Sequence, residues 1–344
     1  MMKTILVILD GASEEKIEEL NFMTPIEYAR TPTLDKLMKT GKYSKKIFFP
    51  KNRIPDSLCC ILTILGVDES FIPENRAYFE ALAANIEIKD TEAALRCNLV
   101  SIKDGRLESF NGEGLTKAEM KEFSNKVITK NNLKFYHISD YRNILIIDKE
   151  KLASRPYNMP PHENIGKSVE VLRRNINNNI LEEFLHENLF STKGTDYAFY
   201  PWGVSERAEL KSFFDIHKKS CSCVCSAEIV KGISKAMKIR LPELKNATSD
   251  ADTDLGEKAE AVLRELHTHD VVIAHINGTD EVSHRKDTYG KIKFIEKIDE
   301  NFLSVIYKNV NNTRIIVLAD HQTSSVTGKH ETGAVDVVEA IIKE

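Results

Sequence analysis

The chain of 344 residues is 42% hydrophobic, which is enough to bury a sizeable core, and its length predicts about two domains. A formal net charge of −4 and the lack of any long Lys/Arg block argue against nucleic acid as a partner. No apolar run approaches the ~20 residues of a spanning helix, so a membrane is not an expected partner either.

The first predicted element is a strand. The opening stretch "MMKTILVILDGAS" has a short apolar run that ends at Asp10, and no small-residue cleavage site follows it. This pattern indicates a buried strand rather than a signal peptide, and a cytoplasmic protein is expected.

Similar apolar runs recur late in the chain, with helical patterns between them. The predicted buried strands cover 4–9, 221–227, 270–276 and 313–319. The predicted helices cover 31–41, 57–66, 228–239, 255–268 and 288–308. Strands that alternate with helices predict an α/β core, a mostly parallel sheet with helices on both faces.

The middle of the chain has a different pattern. From about Ile86 to Asn188 the order is strand, hairpin, strand, helix, two strands and a long helix that starts near Ser168. We interpret residues 86–190 as an inserted α+β cap domain that closes over the rest of the chain. Residues 1–85 and 191–344 would then form one discontinuous core.

Six cysteines are present, with Cys59 and Cys60 adjacent and Cys221, Cys223 and Cys225 alternating along a predicted strand. Small buried side chains in a reducing cytoplasm explain this pattern. A soft-metal site at C-x-C-x-C is the alternative, but no matching Cys/His pair occurs elsewhere.

Acidic residues follow three of the predicted strands at the ends where loops of a parallel sheet converge. Taken singly, such an aspartate usually caps a helix, and a lone histidine usually lies on the surface. Together, carboxylate and imidazole suit Zn²⁺, Mn²⁺ or a similar ion, and two ions about 3.5–4 Å apart become plausible. The aspartates are Asp10, Asp280 and Asp320, and the histidines near them are His284, His321 and His330.

The sequence contains the stretches "VILDG", "IPDSLCCILTILGVD", "GTDEVSH" followed by "GKIKFIEKID", and "ADHQTSSVTGKH". Together they resemble the archaeal-type cofactor-independent phosphoglycerate mutases of the alkaline phosphatase superfamily, with weaker likeness at "RCNLVSIKDGRLESF" and "PPHENIGK". The resemblance covers nearly the whole chain.

The resemblance implies a set of metal ligands and a nucleophile. Two divalent ions (Mn, Zn or Mg) and no organic cofactor are expected. Ser57 would attack the phosphoryl group and return it later, so that 3-phosphoglycerate and 2-phosphoglycerate interconvert through a phosphoserine. Without the resemblance, Ser57 would be an ordinary helix N-cap. One ion would be held by Asp10, Ser57, Asp320 and His321, and the other by Asp280, His284 and His330.

A phosphoglycerate carries a phosphate and a carboxylate, so basic residues should surround it. For each candidate the alternative is an ordinary surface charge, and for His162 it is a polar loop that enters a helix. The candidates, all in stretches that resemble the family, are Arg76, Arg96, Arg142, His162 and Lys167. His275, inside a predicted strand, is expected to be a core residue or to support a ligand.

The sequence departs from the family beside Ser57. Leu58 and Ile61 replace residues that are polar in the family, and Asp56 replaces its usual glycine. The identity of the small phosphorylated substrate is therefore not fixed by the sequence. The alternatives to a mutase are a phosphatase or phosphotransferase, or a non-catalytic metal-binding member of the family. The sequence decides neither the metals nor the oligomeric state.

Overall fold

The structure is a computed structural model, and it describes residues 2–152 and 158–343. The chain divides into two compact units. The first unit is Met1–Ile72 with Glu209–Glu344, and the second unit is Pro73–Ala208.

Both units combine strands with helices. Within the described residues the strands are β1 Lys3–Leu9, β2 Lys42–Lys46, β3 Glu92–Lys103, β4 Arg106–Ser109, β5 Lys134–Ser139, β6 Arg142–Asp148, β7 Leu189–Thr192, β8 Thr195–Glu206, β9 Cys221–Val224, β10 Val271–Ile276, β11 Thr313–Ala319, β12 Gln322–Thr323, β13 His330–Glu331 and β14 Val335–Ile342. The α-helices are α1 Pro25–Tyr28, α2 Pro32–Thr40, α3 Ser57–Ile64, α4 Ala77–Ala83, α5 Lys117–Asn125, α6 Val169–Ile176, α7 Asn179–Glu187, α8 Phe213–His217, α9 Glu228–Ala236, α10 Leu255–Leu266, α11 Gly278–His284, α12 Thr288–Ile298 and α13 Ser304–Asn309. Short 3₁₀ turns cover Glu18–Leu20, Glu69–Phe71, Lys149–Lys151 and Pro161–Glu163, and a π-helical segment, Asp299–Leu303, joins α12 to α13.

The first unit is built on one sheet with the strand order β2-β14-β11-β1-β10-β9. Strands β9, β10, β1 and β11 pair in parallel, as predicted, whereas β14 and β2 add an antiparallel edge that was not predicted. Strand β2 is polar and mostly exposed, so it has no apolar run to reveal it. Alternate residues of β1 pack with α10 on one face and lie near α3 and α8 on the other. Helices therefore cover both faces.

The register of this sheet places three loops at one edge. Leu9 at the end of β1 pairs with Ile276 of β10 and with Ala319 of β11. The next residues, beginning at Asp10, Asn277 and Asp320, therefore leave the sheet side by side. Parallel strands bring residues hundreds of positions apart to the same point.

The second unit is an antiparallel sheet with the order β5-β6-β3-β8-β7, to which β4 adds by pairing with β3. Helices α5, α6 and α7 pack on its core. The unit extends beyond the predicted bounds of 86 and 190, because α4 packs against β3 and β8 and because β8 is a central strand.

The long helix predicted from Ser168 is wrong, because two helices are present. Asn177 adopts the left-handed conformation (φ 56°), which ends α6, and the Asn178 side chain then caps α7 by accepting a hydrogen bond from Leu181 N at 3.2 Å. Asparagine tolerates positive φ better than other side chains with a Cβ, so the Asn-rich stretch marks a helix break.

The six cysteines are buried free thiols. The clusters of potential metal ligands found among the described residues contain no cysteine. No helix in the described part of the chain is long and apolar enough to cross a membrane.

Candidate metal centre

A first group of potential ligands lies at the ends of β1 and β11: Asp10, Asp320 and His321, each at most 1% exposed. His321 Nε2 lies 3.2 Å from Asp10 Oδ1 and 3.6 Å from Asp320 Oδ2. Ser57 Oγ lies 3.4 Å from both carboxylate oxygens of Asp10 and 3.4 Å from His321 Nε2. The structure thus brings together the four residues predicted to share one ion.

A second group lies beside it. His284 Nε2 is 3.1 Å from Asp280 Oδ2, and His330 Nε2 is 3.6 Å from Asp280 Oδ1. Asp280 and His284 stand one turn apart on α11, as their spacing of four residues requires. His330 comes from β13, on the far side of the loop that starts at His321.

The two groups are closer to each other than the separate ligand sets imply. The rings of His321 and His330 have centroids 4.2 Å apart. Ligand atoms of Asp280, His321 and His330 lie within 4.8 Å of one another, so His321 belongs to both groups. An imidazole between two ligand sets is a position that sequence spacing does not reveal.

Gly11 makes this close approach possible. Its φ is +59°, and a Cβ at this position would lie 2.6 Å from Asp280 Oδ1 and 2.5 Å from Thr323 Oγ1. Its N–H donates to Asp320 Oδ1 at 3.1 Å. The glycine of "VILDG" is therefore required both for its backbone conformation and for space.

Hydrogen bonds donated by Nδ1 orient all three histidines. His284 Nδ1 lies 2.9 Å from Gly328 O, and His330 Nδ1 lies 2.8 Å from Pro55 O. Because a carbonyl oxygen can only accept, Nδ1 carries the proton in both. Thr323 Oγ1 donates to Asp280 Oδ1 (2.7 Å), so it accepts from His321 Nδ1 (3.1 Å). Each Nε2 is left to face the carboxylates, as in metal sites whose ligands are oriented by a second hydrogen bond.

Two buried atoms of the site lack a hydrogen-bond partner in the described structure, Asp320 Oδ2 and His330 Nε2. Buried polar groups are nearly always satisfied, so these atoms need a partner of another kind. Carboxylate oxygen and imidazole nitrogen are ligands of Zn²⁺ and Mn²⁺. The residues present fit divalent ions.

The pKa shifts of the site reflect its concentration of carboxylates. Burial lowers the pKa of His321, but Asp320 and Asp10 outweigh it and raise this pKa to about 10. The hydrogen bond to Asp280 raises the pKa of His284 to about 9. Burial, followed by Asp10, raises the pKa of Asp320 to about 6. Without a metal, protons balance the carboxylates, and a cation that binds would displace them.

Ser57 is not the N-cap of α3. That position belongs to Asp56, whose Oδ1 accepts from Cys59 N at 2.7 Å, and Ser57 is the first residue of the helix. The serine hydroxyl is therefore not needed by the helix backbone. Leu58 and Ile61, in contrast, are each only 1% exposed, so the two apolar substitutions belong to the core.

His275 lies against the first group. It is fully buried, and its Nε2 lies 3.3 Å from Asp10 Oδ2, although neither ring nitrogen makes a hydrogen bond within the described structure. His275 is therefore a core residue, one of the two roles expected from the sequence, and its supporting role stays a prediction.

The predicted substrate-binding residues all lie in the second unit, and three of them meet around Glu80. This buried carboxylate accepts from Arg76 Nε at 2.6 Å and from Arg96 Nε at 2.9 Å. Arg142 also helps to lower the pKa of Glu80. The guanidinium carbon of Arg96 lies 4.3 Å from the ring centroid of Trp202. The Nη atoms of Arg96 have no hydrogen-bond acceptor among the described residues.

His162 belongs to the same cluster, and Lys167 does not. The ring centroid of His162 is 5.9 Å from that of Trp202. Burial lowers its pKa, and Arg96 and Arg76 lower it further, against the opposing effect of Glu163. Lys167 is exposed on the loop before α6, and its backbone hydrogen bonds are with Asn164 and Leu107, outside the cluster.

Three residues near the metal centre were missed by the sequence analysis: Glu14, Lys291 and Thr323. Lys291 lies in the stretch "GKIKFIEKID", which was noted for its likeness but given no role. Thr323 likewise lies in a noted stretch, "ADHQTSSVTGKH", and was given no role. For Glu14 nothing in the sequence was informative, because its importance depends on hydrogen bonds to distant residues.

Comparison with known proteins gives one match to a family and several to single proteins. The sequence model of the Metalloenzyme superfamily matches residues 2–340. The 2,3-bisphosphoglycerate-independent phosphoglycerate mutase of Methanothrix thermoacetophila is 27% identical, over 97% of this chain and 89% of that protein. The enzyme of the same name from Metallosphaera sedula is 27% identical, over 95% of this chain and 86% of its own length.

Two solved structures share the fold. The PH0037 protein of Pyrococcus horikoshii is 24% identical with a TM-score of 0.81, over 99% of this chain and 87% of that one. The cofactor-independent phosphoglycerate mutase of Thermoplasma acidophilum is 18% identical with a TM-score of 0.59, over 98% of this chain and 89% of that one.

Proposed function

This chain belongs to the Metalloenzyme superfamily, and from that membership we propose that it is a metal-dependent phosphoryl-transfer enzyme that interconverts 3-phosphoglycerate and 2-phosphoglycerate. The observation that carries this proposal is the position of Ser57 Oγ, 3.4 Å from Asp10 and from His321 and not engaged in capping its helix. The names of the relatives support the substrate.

In the proposed reaction Ser57 Oγ attacks the phosphorus of 3-phosphoglycerate and gives up its proton. The bond from phosphorus to the 3-oxygen breaks, and that oxygen takes a proton to leave glycerate and phosphoserine. The 2-hydroxyl oxygen of glycerate then attacks the phosphorus and loses its proton. The bond from phosphorus to Ser57 Oγ breaks and Oγ takes up a proton, which regenerates Ser57 and yields 2-phosphoglycerate. No phosphate is gained or lost.

The chain's own residues contribute position and charge. Asp10, Asp320 and His321 would hold one divalent ion beside Ser57, and Asp280 and His330, with His284, would hold another. Bound ions of this kind lower the pKa of a coordinated hydroxyl and neutralise charge on phosphoryl oxygens. The choice among Mn²⁺, Zn²⁺ and Mg²⁺ stays open, since these ligands accept all three to different degrees.

We propose that the arginine cluster of the second unit binds an anionic group of the substrate, its carboxylate or its phosphate. Arg96 suits this role, because Glu80 occupies its Nε and its Nη atoms lack acceptors in the described structure. Replacing Arg96 with Met should raise KM for phosphoglycerate at least about tenfold, since a lost charge-assisted hydrogen bond costs roughly 1.5–3 kcal/mol. Arg174→Met, on the exposed part of α6, is the control.

A phosphatase is the second candidate, and Asp56 favours it. Its carboxylate accepts from Cys59 N, a backbone donor at the start of α3 that could otherwise face an incoming phosphate. With one fewer donor to bind the substrate's phosphate, transfer of the phosphoryl group to water is favoured over its return to glycerate. Assays of the metal-loaded protein with 3-phosphoglycerate and with an aryl phosphate separate the two. Formation of 2-phosphoglycerate supports the mutase, and free phosphate alone supports the phosphatase.

We propose that the protein acts in the cytoplasm, where its six buried thiols would stay reduced. A small phosphorylated metabolite is the partner proposed.

A further inference from the structure

A buried ion pair lies next to the metal centre and has no part in the proposed chemistry. Lys291 is 0% exposed and Glu14 is 4% exposed, with Nζ and Oε2 separated by 3.0 Å. Burial of two charges is costly, and such a pair often stabilises a fold no more than apolar side chains of the same size would. A contribution to stability is therefore a weak explanation for its presence.

The pair joins the three segments that carry the potential metal ligands. Glu14 follows Asp10 by four residues, and Lys291 begins the second turn of α12, just after α11. Lys291 Nζ also donates to Thr323 O at 2.7 Å. Glu14 Oε1 accepts from Ser325 N at 2.6 Å and from Ser325 Oγ at 3.1 Å. Thr323 and Ser325 belong to the loop between His321 and His330.

Thr323 links this network to the ligands themselves. Its hydroxyl accepts from His321 Nδ1 and donates to Asp280 Oδ1. Its backbone pairs with His330 in the β12–β13 ladder. A shift of Thr323 would therefore change the orientation of His321, Asp280 and His330 together.

We propose that Glu14 and Lys291 are a positioning pair that sets the geometry of the metal centre through Thr323 and Ser325. Neither residue touches the reacting atoms. The inference rests on the proposed metal centre and names which residues outside the ligand sets control its affinity. Residues that orient metal ligands typically change affinity by about 10–100-fold when replaced.

The test is a titration of the full chain with Co²⁺, in which binding is monitored by the visible absorption of the bound cobalt. This absorption reports the coordination geometry. The wild-type protein should bind two ions. Lys291→Met, which keeps the length of the side chain, should weaken binding of at least one ion by about tenfold or more and change the spectrum. The thermal midpoint is recorded in parallel.

Lys134→Met is the matched control, because Lys134 pairs with the buried Glu92 in the second unit. It should lower stability and leave the cobalt titration unchanged. Should Lys291→Met fail to fold, Glu14→Gln with Lys291→Met removes both charges and should show the same weakened binding.

The outcomes separate this inference from the proposed function. A wild-type chain that binds no cobalt would overturn the metal centre itself. Two ions in the wild type, with unchanged affinity and spectrum in the folded Lys291 variant, would overturn the positioning role alone.

Discussion

Replacing Ser57 with Ala should separate catalysis from stability in a way that follows from the helix cap. Because Asp56 and not Ser57 caps α3, the lost hydroxyl removes no backbone hydrogen bond. Alanine is also the best helix former, so we expect a change in unfolding free energy within ~0.5 kcal/mol. The first group of ligands would remain.

The effect on turnover should be large. Loss of a covalent nucleophile should lower kcat by on the order of 10³-fold or more, which corresponds to about 4 kcal/mol of transition-state stabilisation. The measurements are mutase turnover with 3-phosphoglycerate, and intact mass after brief exposure to substrate. Wild-type protein should gain one phosphoryl group, and the variant should gain none.

Asp56→Ala supplies the opposite pattern. Loss of an N-cap costs about 0.5–2 kcal/mol, so the thermal midpoint should fall by a few degrees while phosphoserine still forms. If Ser57→Ala keeps most of its turnover with every substrate tried, the covalent mechanism is refuted, and direct attack by water becomes the better account. A large loss of stability in Ser57→Ala would contradict the assignment of the cap.

Three further perturbations test the metal centre and the arginine cluster. His284→Ala should leave one bound ion per chain and lower activity by more than ~100-fold, because replacing even a residue that only orients a ligand lowers metal affinity or activity by about 10–100-fold. Metal analysis of the purified variant measures the number of ions. The control is His217→Ala, which replaces a histidine hydrogen-bonded to Leu65 O and should keep both ions. Removal of metal by a chelator should lower the thermal midpoint by ~5–10 °C, since saturation at 100 times Kd is worth ~2.7 kcal/mol, and an unchanged midpoint would argue against bound metal. In the second unit, burial raises the pKa of Glu80, but Arg96 and Arg76 outweigh it and hold this pKa below 4.5. A carboxyl whose pKa is lowered in the folded state stabilises the fold at any pH above its unfolded-state pKa, and this stabilisation is lost as the pH falls. Glu80→Gln should therefore lower the free energy of unfolding in urea by ~3 kcal/mol at pH 7 and by less below about pH 4.5. A loss of stability that does not depend on pH would contradict this.

Much of the first unit could be predicted from the sequence. A strand buried on both faces needs an almost continuous apolar run, so β1, β9, β10 and β11 are visible as such runs. Because parallel strands end at one edge, the residues that follow them could be expected to meet. The types of ligand at those ends indicated a divalent cation, and the structure brings Asp10, Asp320 and His321 together.

Other features depend on contacts that sequence patterns do not encode. Strands β2 and β14 escaped prediction, and Asn177 divided a helix that periodicity alone would continue. Ser57 was open to interpretation as a cap, since the competition with Asp56 is decided by side-chain orientation. The extent of the second unit was set by the packing of α4, which no linker composition marks.

At the metal centre the sequence by itself determined which side chains were available, and the tertiary structure decided how they share the site. The position of His321 in both ligand groups, and the Glu14–Lys291 pair that supports them, arise from residues about 280 to 310 positions apart. Hydrogen bonds and metal coordination require the distance between two atoms to be correct within a few tenths of an ångström. Residue types and spacings identify the strand ends, but only the register of the folded sheet sets those distances.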